Sequence, residues 1–142
     1  MAQTYSTELA PTQTTPAGIP SAFSGYGARL DRYRASITLA SQASGDTVAL
    51  ANVPAGAIFA YGVITAGVSL GTSTVAVGTA TTAGKYRAAA VFTAVDTPTF
   101  FGAAAQVAQS PLSAQEQVIL TVSTAALPAS GQLVVDLYFS TP

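Results

Sequence analysis

Residues 132–140 read Gln-Leu-Val-Val-Asp-Leu-Tyr-Phe-Ser, a run in which large apolar side chains recur at every second position. Successive side chains of a β-strand point to opposite faces, so this run predicts a strand with two distinct faces. One face would carry Leu133, Val135, Leu137 and Phe139. The other face would carry Val134, Asp136 and Tyr138.

Six more strand-like runs precede this one, at 36–40, 47–53, 57–66, 72–79, 86–93 and 117–124. Turn-forming residues separate them, for example Gly45-Asp46, Pro54-Ala55-Gly56 and Ser130-Gly131. Short strands at this spacing predict an all-β fold, either a sandwich or a barrel. The alanine-rich segments 86–94 and 103–109 leave room for at most one short helix.

The first 34 residues differ from the rest of the chain. Prolines at positions 11, 16 and 20 disfavour a helix, and the apolar residues have no regular spacing. We therefore predict an extended N-terminal arm at 1–34 and a β-sandwich domain at 35–142. Large apolar side chains of the arm include Tyr5, Leu9, Phe23 and Tyr26. They could anchor the arm to a partner, and the alternative is a terminus that contacts nothing.

Charge is scarce in this sequence. Only 8% of the 142 residues are charged, and the net charge is −1, whereas about a quarter of the residues are charged in a typical domain. A charge-poor, apolar surface suits a protein that buries much of it against partners. The uncharged stretch 47–84 is interrupted by Pro54 and several glycines, so it does not predict a membrane span.

Little in the sequence points to catalysis. The chain has no Cys, His or Trp, which excludes thiol and imidazole chemistry. Residues 78–86 resemble a phosphate-binding loop, but five residues separate the glycines and Tyr86 follows Lys85, so the segment predicts a polar hairpin turn. The six carboxylates are scattered and lack the spacing of a calcium loop. We expect no enzymatic activity, no metal and no cofactor.

One basic cluster, formed by Arg29, Arg32 and Arg34, lies where the arm meets the domain. Its arginines could pair with carboxylates of a partner. The alternative is that the arginines are solvated at the start of the first strand and that one of them pairs with Asp31, a contact that contributes little to stability. Nucleic acid is disfavoured because three arginines on a net negative chain make a weak electrostatic footprint.

Phe100 and Phe101 form a second candidate contact in a loop-like stretch. Adjacent side chains of an extended segment point in opposite directions. One ring could therefore lie in the core while the other anchors a partner. The alternative is a twisted loop that tucks both rings under the sandwich.

Several runs carry a family resemblance. They are 46–58 (Asp-Thr-Val-Ala-Leu-Ala-Asn-Val-Pro-Ala-Gly-Ala-Ile), 71–79 (Gly-Thr-Ser-Thr-Val-Ala-Val-Gly-Thr), 84–93 (Gly-Lys-Tyr-Arg-Ala-Ala-Ala-Val-Phe-Thr), 96–102 (Asp-Thr-Pro-Thr-Phe-Phe-Gly) and 133–139. Together they resemble the small capsid-decorating, or cement, proteins of tailed bacteriophages, over residues 35–140.

The resemblance implies a jelly-roll-like β-sandwich on the outer surface of the virion, commonly a homotrimer, which binds the major capsid protein and bridges neighbouring capsomers. It brings no catalytic residues. The alternative function is a phage fibre or a receptor- or carbohydrate-binding β-module, with sugars held by Tyr61, Tyr86 or Tyr138. The residues that we expect to bind partners are Tyr5, Leu9, Phe23, Tyr26, Arg29, Arg32, Arg34, Phe100 and Phe101. We expect neither nucleic acid nor a membrane as a partner.

Overall fold

A computed structural model describes residues 29–141 of the chain. The described elements are β1 (Arg29–Thr38), β2 (Thr47–Val53), β3 (Ile58–Ala66), β4 (Thr74–Gly78), β5 (Arg87–Val91), β6 (Thr99–Phe101), α1 (Ala104–Val107), β7 (Glu116–Ser123) and β8 (Gln132–Thr141). None of the helical structure in this range is long and apolar enough to cross a membrane.

The strands form two four-stranded sheets. The first sheet has the order β1-β8-β3-β6, and the second has the order β2-β7-β4-β5. Every neighbouring pair is antiparallel. Eight antiparallel strands that pass between two packed sheets in this order form a jelly roll. The predicted all-β, jelly-roll-like sandwich is therefore confirmed.

The core lies between the sheets, and β8 supplies much of it. The four inward side chains of β8, Leu133, Val135, Leu137 and Phe139, are fully buried. Phe139 contacts three other rings, those of Tyr33, Phe59 and Tyr86, at centroid distances of 6.0, 5.3 and 5.7 Å. The alternation that predicted a two-faced strand thus describes this strand correctly.

Strand β1 begins at Arg29 rather than at the expected residue 36. Its ten residues pair with β8 from Arg29 opposite Thr141 to Thr38 opposite Gln132. The early part of β1 was missed because it is an edge strand whose exposed positions carry charges, which hides the apolar alternation. Residues 29–34, assigned to the arm from the sequence, therefore lie in β1. Residues 1–28 lie outside the described part of the chain.

Strand β6 was expected to be a loop. It has three residues, Thr99–Phe101, which pair with Ile64, Val63 and Gly62 of β3. The ring of Phe101 lies over Gly62, where a Cβ atom would overlap it. A residue without a side chain at position 62 therefore allows the ring to reach Phe59, with centroids 6.5 Å apart.

We expect Gly62→Ala to lower the free energy of unfolding by about 1–3 kcal/mol, as overpacking of a filled core does. The three atoms nearest to the added methyl group all belong to the ring of Phe101. The double variant Gly62→Ala/Phe101→Ala should therefore lose less stability than the sum of the losses in the two single variants. Urea denaturation of the four proteins measures this coupling.

Gly67→Ala is the matched control. Its Cβ would meet one backbone oxygen, that of Gln132, at an ordinary 3.7 Å. We expect its stability to stay within about 1 kcal/mol of that of the wild type. If the losses of stability from Gly62→Ala and Phe101→Ala simply add in the double variant, the result would contradict a direct contact between the two positions.

Candidate docking face on the first sheet

The outward side chains of the first sheet form a continuous surface across all four strands. In the register of the sheet, Arg32 lies opposite Tyr138, and Tyr138 lies opposite Tyr61. One step further along, Arg34 lies opposite Asp136, which lies opposite Val63, which lies opposite Phe100. We call this surface the aromatic–arginine face, composed of Arg32, Arg34, Tyr61, Val63, Phe100, Asp136 and Tyr138.

Three aromatic rings form a row on this face. The rings of Tyr61 and Tyr138 stack, with centroids 4.5 Å apart and an interplanar angle of 17°. Phe100 lies against Tyr61 at 5.6 Å and is tilted by 58°. Such pairs add about 0.5–1.5 kcal/mol each beyond the area that they bury. The row is therefore held in place by its own contacts, although Phe100 remains 72% exposed.

Arg34 and Asp136 form a bidentate ion pair beside this row. The Arg34 guanidinium donates from Nε to Oδ1 at 2.8 Å and from Nη2 to Oδ2 at 2.9 Å. Asp136 is buried, while the arginine side chain is 52% exposed. The hydrogen bonds from Arg34 lower the pKa of Asp136, burial opposes this effect, and the charges of Arg34 and Arg32 lower the pKa further. Asp136 is therefore held ionised on the face.

The structure separates the three arginines that are clustered in the sequence. Arg32 and Arg34 point outward from β1. Arg29 lies an odd number of residues away from them, so it belongs to the other face of the strand, and it pairs with Asp31 at 3.2 Å. Asp31 also accepts a hydrogen bond from Thr141 Oγ1 at 2.6 Å. Arg29 therefore corresponds to the alternative in which an arginine at the start of the strand is solvated and pairs with Asp31. Only Arg32 and Arg34 share the aromatic–arginine face.

Arg32 differs from the other two arginines. Within residues 29–141 it makes no ion pair, because the three pairs there are Arg29–Asp31, Arg34–Asp136 and Lys85–Glu116. Arg32 is exposed, and it lies opposite Tyr138 in the register. It is therefore the cation of this face that remains available to an external carboxylate.

The two adjacent phenylalanines point in opposite directions. Phe101 packs against the core on Phe59, and Phe100 is exposed on the outer face. The placement of the two rings is that of the first alternative drawn from the sequence, and the anchoring of a partner by Phe100 stays a prediction. Four of the other expected partner-binding residues, Tyr5, Leu9, Phe23 and Tyr26, lie outside the described residues.

The lysine of the phosphate-loop-like segment is engaged elsewhere. Residues 79–86 connect the antiparallel strands β4 and β5. Lys85 Nζ lies 2.6 Å from Glu116 Oε2, and the Tyr86 hydroxyl donates to the other oxygen of Glu116. Burial, followed by this hydrogen bond, raises the pKa of Tyr86, so the phenol stays protonated. The cluster ties the β4–β5 connection to β7.

Tyr86 was one of three candidate sugar-binding residues, and that assignment is wrong because its side chain is fully buried. Tyr61 and Tyr138 are partly exposed, but stacking covers one face of each ring.

In residues 29–141, no group of three or more acidic side chains is placed to hold a metal ion.

Two features of the face were missed in the sequence. Asp136 was assigned correctly to the polar side of β8, but its partner lies 102 positions away, and alternation alone does not identify a partner on another strand. The contact between Phe100 and the Tyr61–Tyr138 pair was missed for the same reason. It depends on β3 lying between β6 and β8.

The sequence matches no model of a known protein family, and it matches no curated protein. Solved structures do resemble the fold. A chain of the cyanophage Pam1 capsid asymmetric unit superposes with a TM-score of 0.69 at 18% identity, covering 92% of this chain and 98% of that one. A chain of the Ralstonia phage GP4 capsid gives 0.63 at 16% identity, over 80% and 85% of the two chains.

A third similar structure is a chain of the acid-stable capsid of the Helicobacter pylori bacteriophage KHP30, with a TM-score of 0.59 at 16% identity, over 80% of this chain and 88% of that one. At such identities the likeness concerns the fold. The same jelly roll therefore occurs in chains of three phage capsid structures.

We expect Arg34→Ala to lower the melting temperature at pH 7, because it leaves a buried carboxylate without its partner. The folded-state pKa of Asp136 lies below its ordinary value. The pair therefore stabilises the fold above the pKa of the unfolded chain, and this stability is lost as the pH falls through the folded-state pKa.

The cost of Arg34→Ala should accordingly shrink toward pH 2, well below the ordinary Asp pKa of about 3.9. Thermal unfolding at both pH values measures it, and a carboxyl NMR titration should find the pKa of Asp136 raised in the variant. Arg29→Ala, which removes an exposed pair, is the control. An equal cost of Arg34→Ala at both pH values would argue against this assignment.

Proposed function

We propose that this chain is a structural protein of a tailed-phage virion, which decorates the outer surface of the capsid and stabilises it by bridging neighbouring capsomers. The observation that carries the proposal is the superposition on a chain of the Pam1 capsid, which covers 92% of this chain and 98% of that one. With such mutual coverage, the structural similarity extends over almost the whole of both chains.

The composition supports a role in assembly. Only 8% of the residues are charged, so a large contact would bury few charges and incur little desolvation cost. A protein that binds assembled coat but not free coat subunits shifts the equilibrium toward the assembled particle by mass action. No catalytic step is needed for this function, and we propose none.

We propose two partners, the major capsid protein and further copies of this chain, arranged as a homotrimer. The proposed contacts with the coat are the N-terminal residues Tyr5, Leu9, Phe23 and Tyr26 together with side chains of the aromatic–arginine face. Apolar side chains of this size stabilise a contact by roughly 1.5–3 kcal/mol each when fully buried. We expect the trimer in the particle. A map of the particle would show it, and sedimentation of the protein released from particles would give its mass.

A module that binds a receptor or a carbohydrate at the tail is the second candidate. The observation in its favour is the outward-facing row of Phe100, Tyr61 and Tyr138, of which Phe100 is exposed. Abundance separates the two functions, because a decoration protein is present in numbers comparable to the coat protein, whereas a fibre component is present in few copies.

We expect purified particles to contain this chain at a copy number comparable to that of the coat protein, as measured by quantitative mass spectrometry. Particles made without it should disassemble at lower temperature. Added protein should restore stability, by about 2.7 kcal/mol per site at a free concentration 100 times Kd. A few copies per particle, or no effect on disassembly, would contradict the proposal.

Deletion of residues 1–28 should leave the jelly roll folded, because all eight described strands lie after residue 28. It should weaken binding to particles by about tenfold or more if even one apolar anchor of the arm is buried there. Circular dichroism checks the fold, and titration of particles that lack the chain measures the affinity. Equal affinity of the truncated and full-length proteins would show the arm to be passive.

A further inference from the structure

The aromatic–arginine face differs in charge from the rest of the chain. It carries the cations of Arg32 and Arg34 and the single carboxylate of Asp136, which gives the face a net charge of +1. The whole chain has a net charge of −1. Since complementary charges direct two proteins together, the preferred partner of this face carries excess carboxylates.

The face also presents a pre-ordered apolar anchor. Phe100 is 72% exposed, yet its strand is paired with β3 and its ring lies against Tyr61. Its neighbour Phe101 is packed against the core, which holds the strand in this orientation. A large side chain that is already ordered loses little entropy when it is buried, and exposed aromatics of this kind are common energetic centres of interfaces.

We infer that the aromatic–arginine face binds an acidic, apolar patch on the outer surface of the coat protein, with Phe100 inserted into the apolar part and Arg32 paired with a carboxylate. This inference rests on the proposed function and adds the surface, its anchor and the chemistry of its partner. Arg34 is not the primary contact, because its charge is already paired with that of Asp136 through two hydrogen bonds.

A second copy of the chain that is related by a two-fold axis fits this face less well. In a two-fold symmetric contact the same surface meets itself. Two faces of charge +1 would then oppose each other, and like charges across an interface disfavour binding. The two arginines at position 32 would have no carboxylate to share beyond Asp136, which is already paired.

A carbohydrate also fits less well. Sugars stack on the open faces of aromatic rings, and the two tyrosines stack on each other at 17° and 4.5 Å. Phe100 is tilted by 58° from Tyr61, so the rings form a ridge rather than a flat platform. A ridge is complementary to a groove or pocket in a protein surface.

The test is titration of full-length protein against phage particles produced without this chain. We expect Phe100→Ala to weaken binding about 10- to 100-fold, as loss of an interface anchor does. Arg32→Ala should weaken it about 3- to 10-fold at low salt and should reduce the salt dependence of the affinity. Both variants should keep the melting temperature of the wild type within a few degrees.

Each variant has a matched control. Val91→Ala truncates an exposed apolar side chain, 53% accessible, on β5 of the second sheet. Arg29→Ala removes an arginine of β1 that does not belong to the face. Both controls should bind particles within about twofold of the wild type, a difference of about 0.4 kcal/mol.

The outcomes separate the inference from the proposed function. If wild-type protein binds particles and Phe100→Ala and Arg32→Ala bind equally well, this face is not the docking surface, while the decorating role stands. If these variants lose self-association instead of particle binding, the face joins copies of the chain and the inference is wrong. If wild-type protein does not bind the particles, the proposed function fails and the inference fails with it.

Discussion

Strand β8 lies between β1 and β3 in the first sheet, and both the core and the outer face depend on its alternation. Its inward positions place Phe139 against three other rings at the centre of the sandwich. Its outward positions place Asp136 and Tyr138 where β1 and β3 can reach them. A slip of one residue would exchange the two faces, so burial of the apolar side fixes the register of the candidate docking face as well.

The neighbouring strand β3 pairs with β6 and thereby sets the orientation of its two phenylalanines. Gly62 provides the space for Phe101, and the pairing of Val63 with Phe100 turns the second ring outward. Two identical residues adjacent in sequence therefore have different roles, one in packing and one on the surface. Phe100 is thus an exposed aromatic side chain whose orientation is set by the pairing of β6 with β3.

Electrostatics on this protein depend on few charges, and most of those described are engaged. Arg34 is held by Asp136, Arg29 by Asp31, and Lys85 by Glu116. Arg87 makes no ion pair but donates to the backbone carbonyls of Val75, Ala90 and Val91. Within residues 29–141, Arg32 is therefore the cation with neither kind of partner, and it lies beside the aromatic row. A surface with so little charge gives each free charge a large influence on which partner is accepted.

The sequence by itself determined the fold class and the buried face of β8. Alternation in 132–140 identified the four core residues of β8, and the run 47–53 coincides with β2. Only the tertiary structure decided that Arg34 meets Asp136, that Arg29 is separated from Arg32, and that Thr99–Phe101 is a strand. The physical reason is that a period of two specifies which side chains share a face of one strand. It does not specify which distant strand lies beside it, and that choice is made by packing of the whole sandwich.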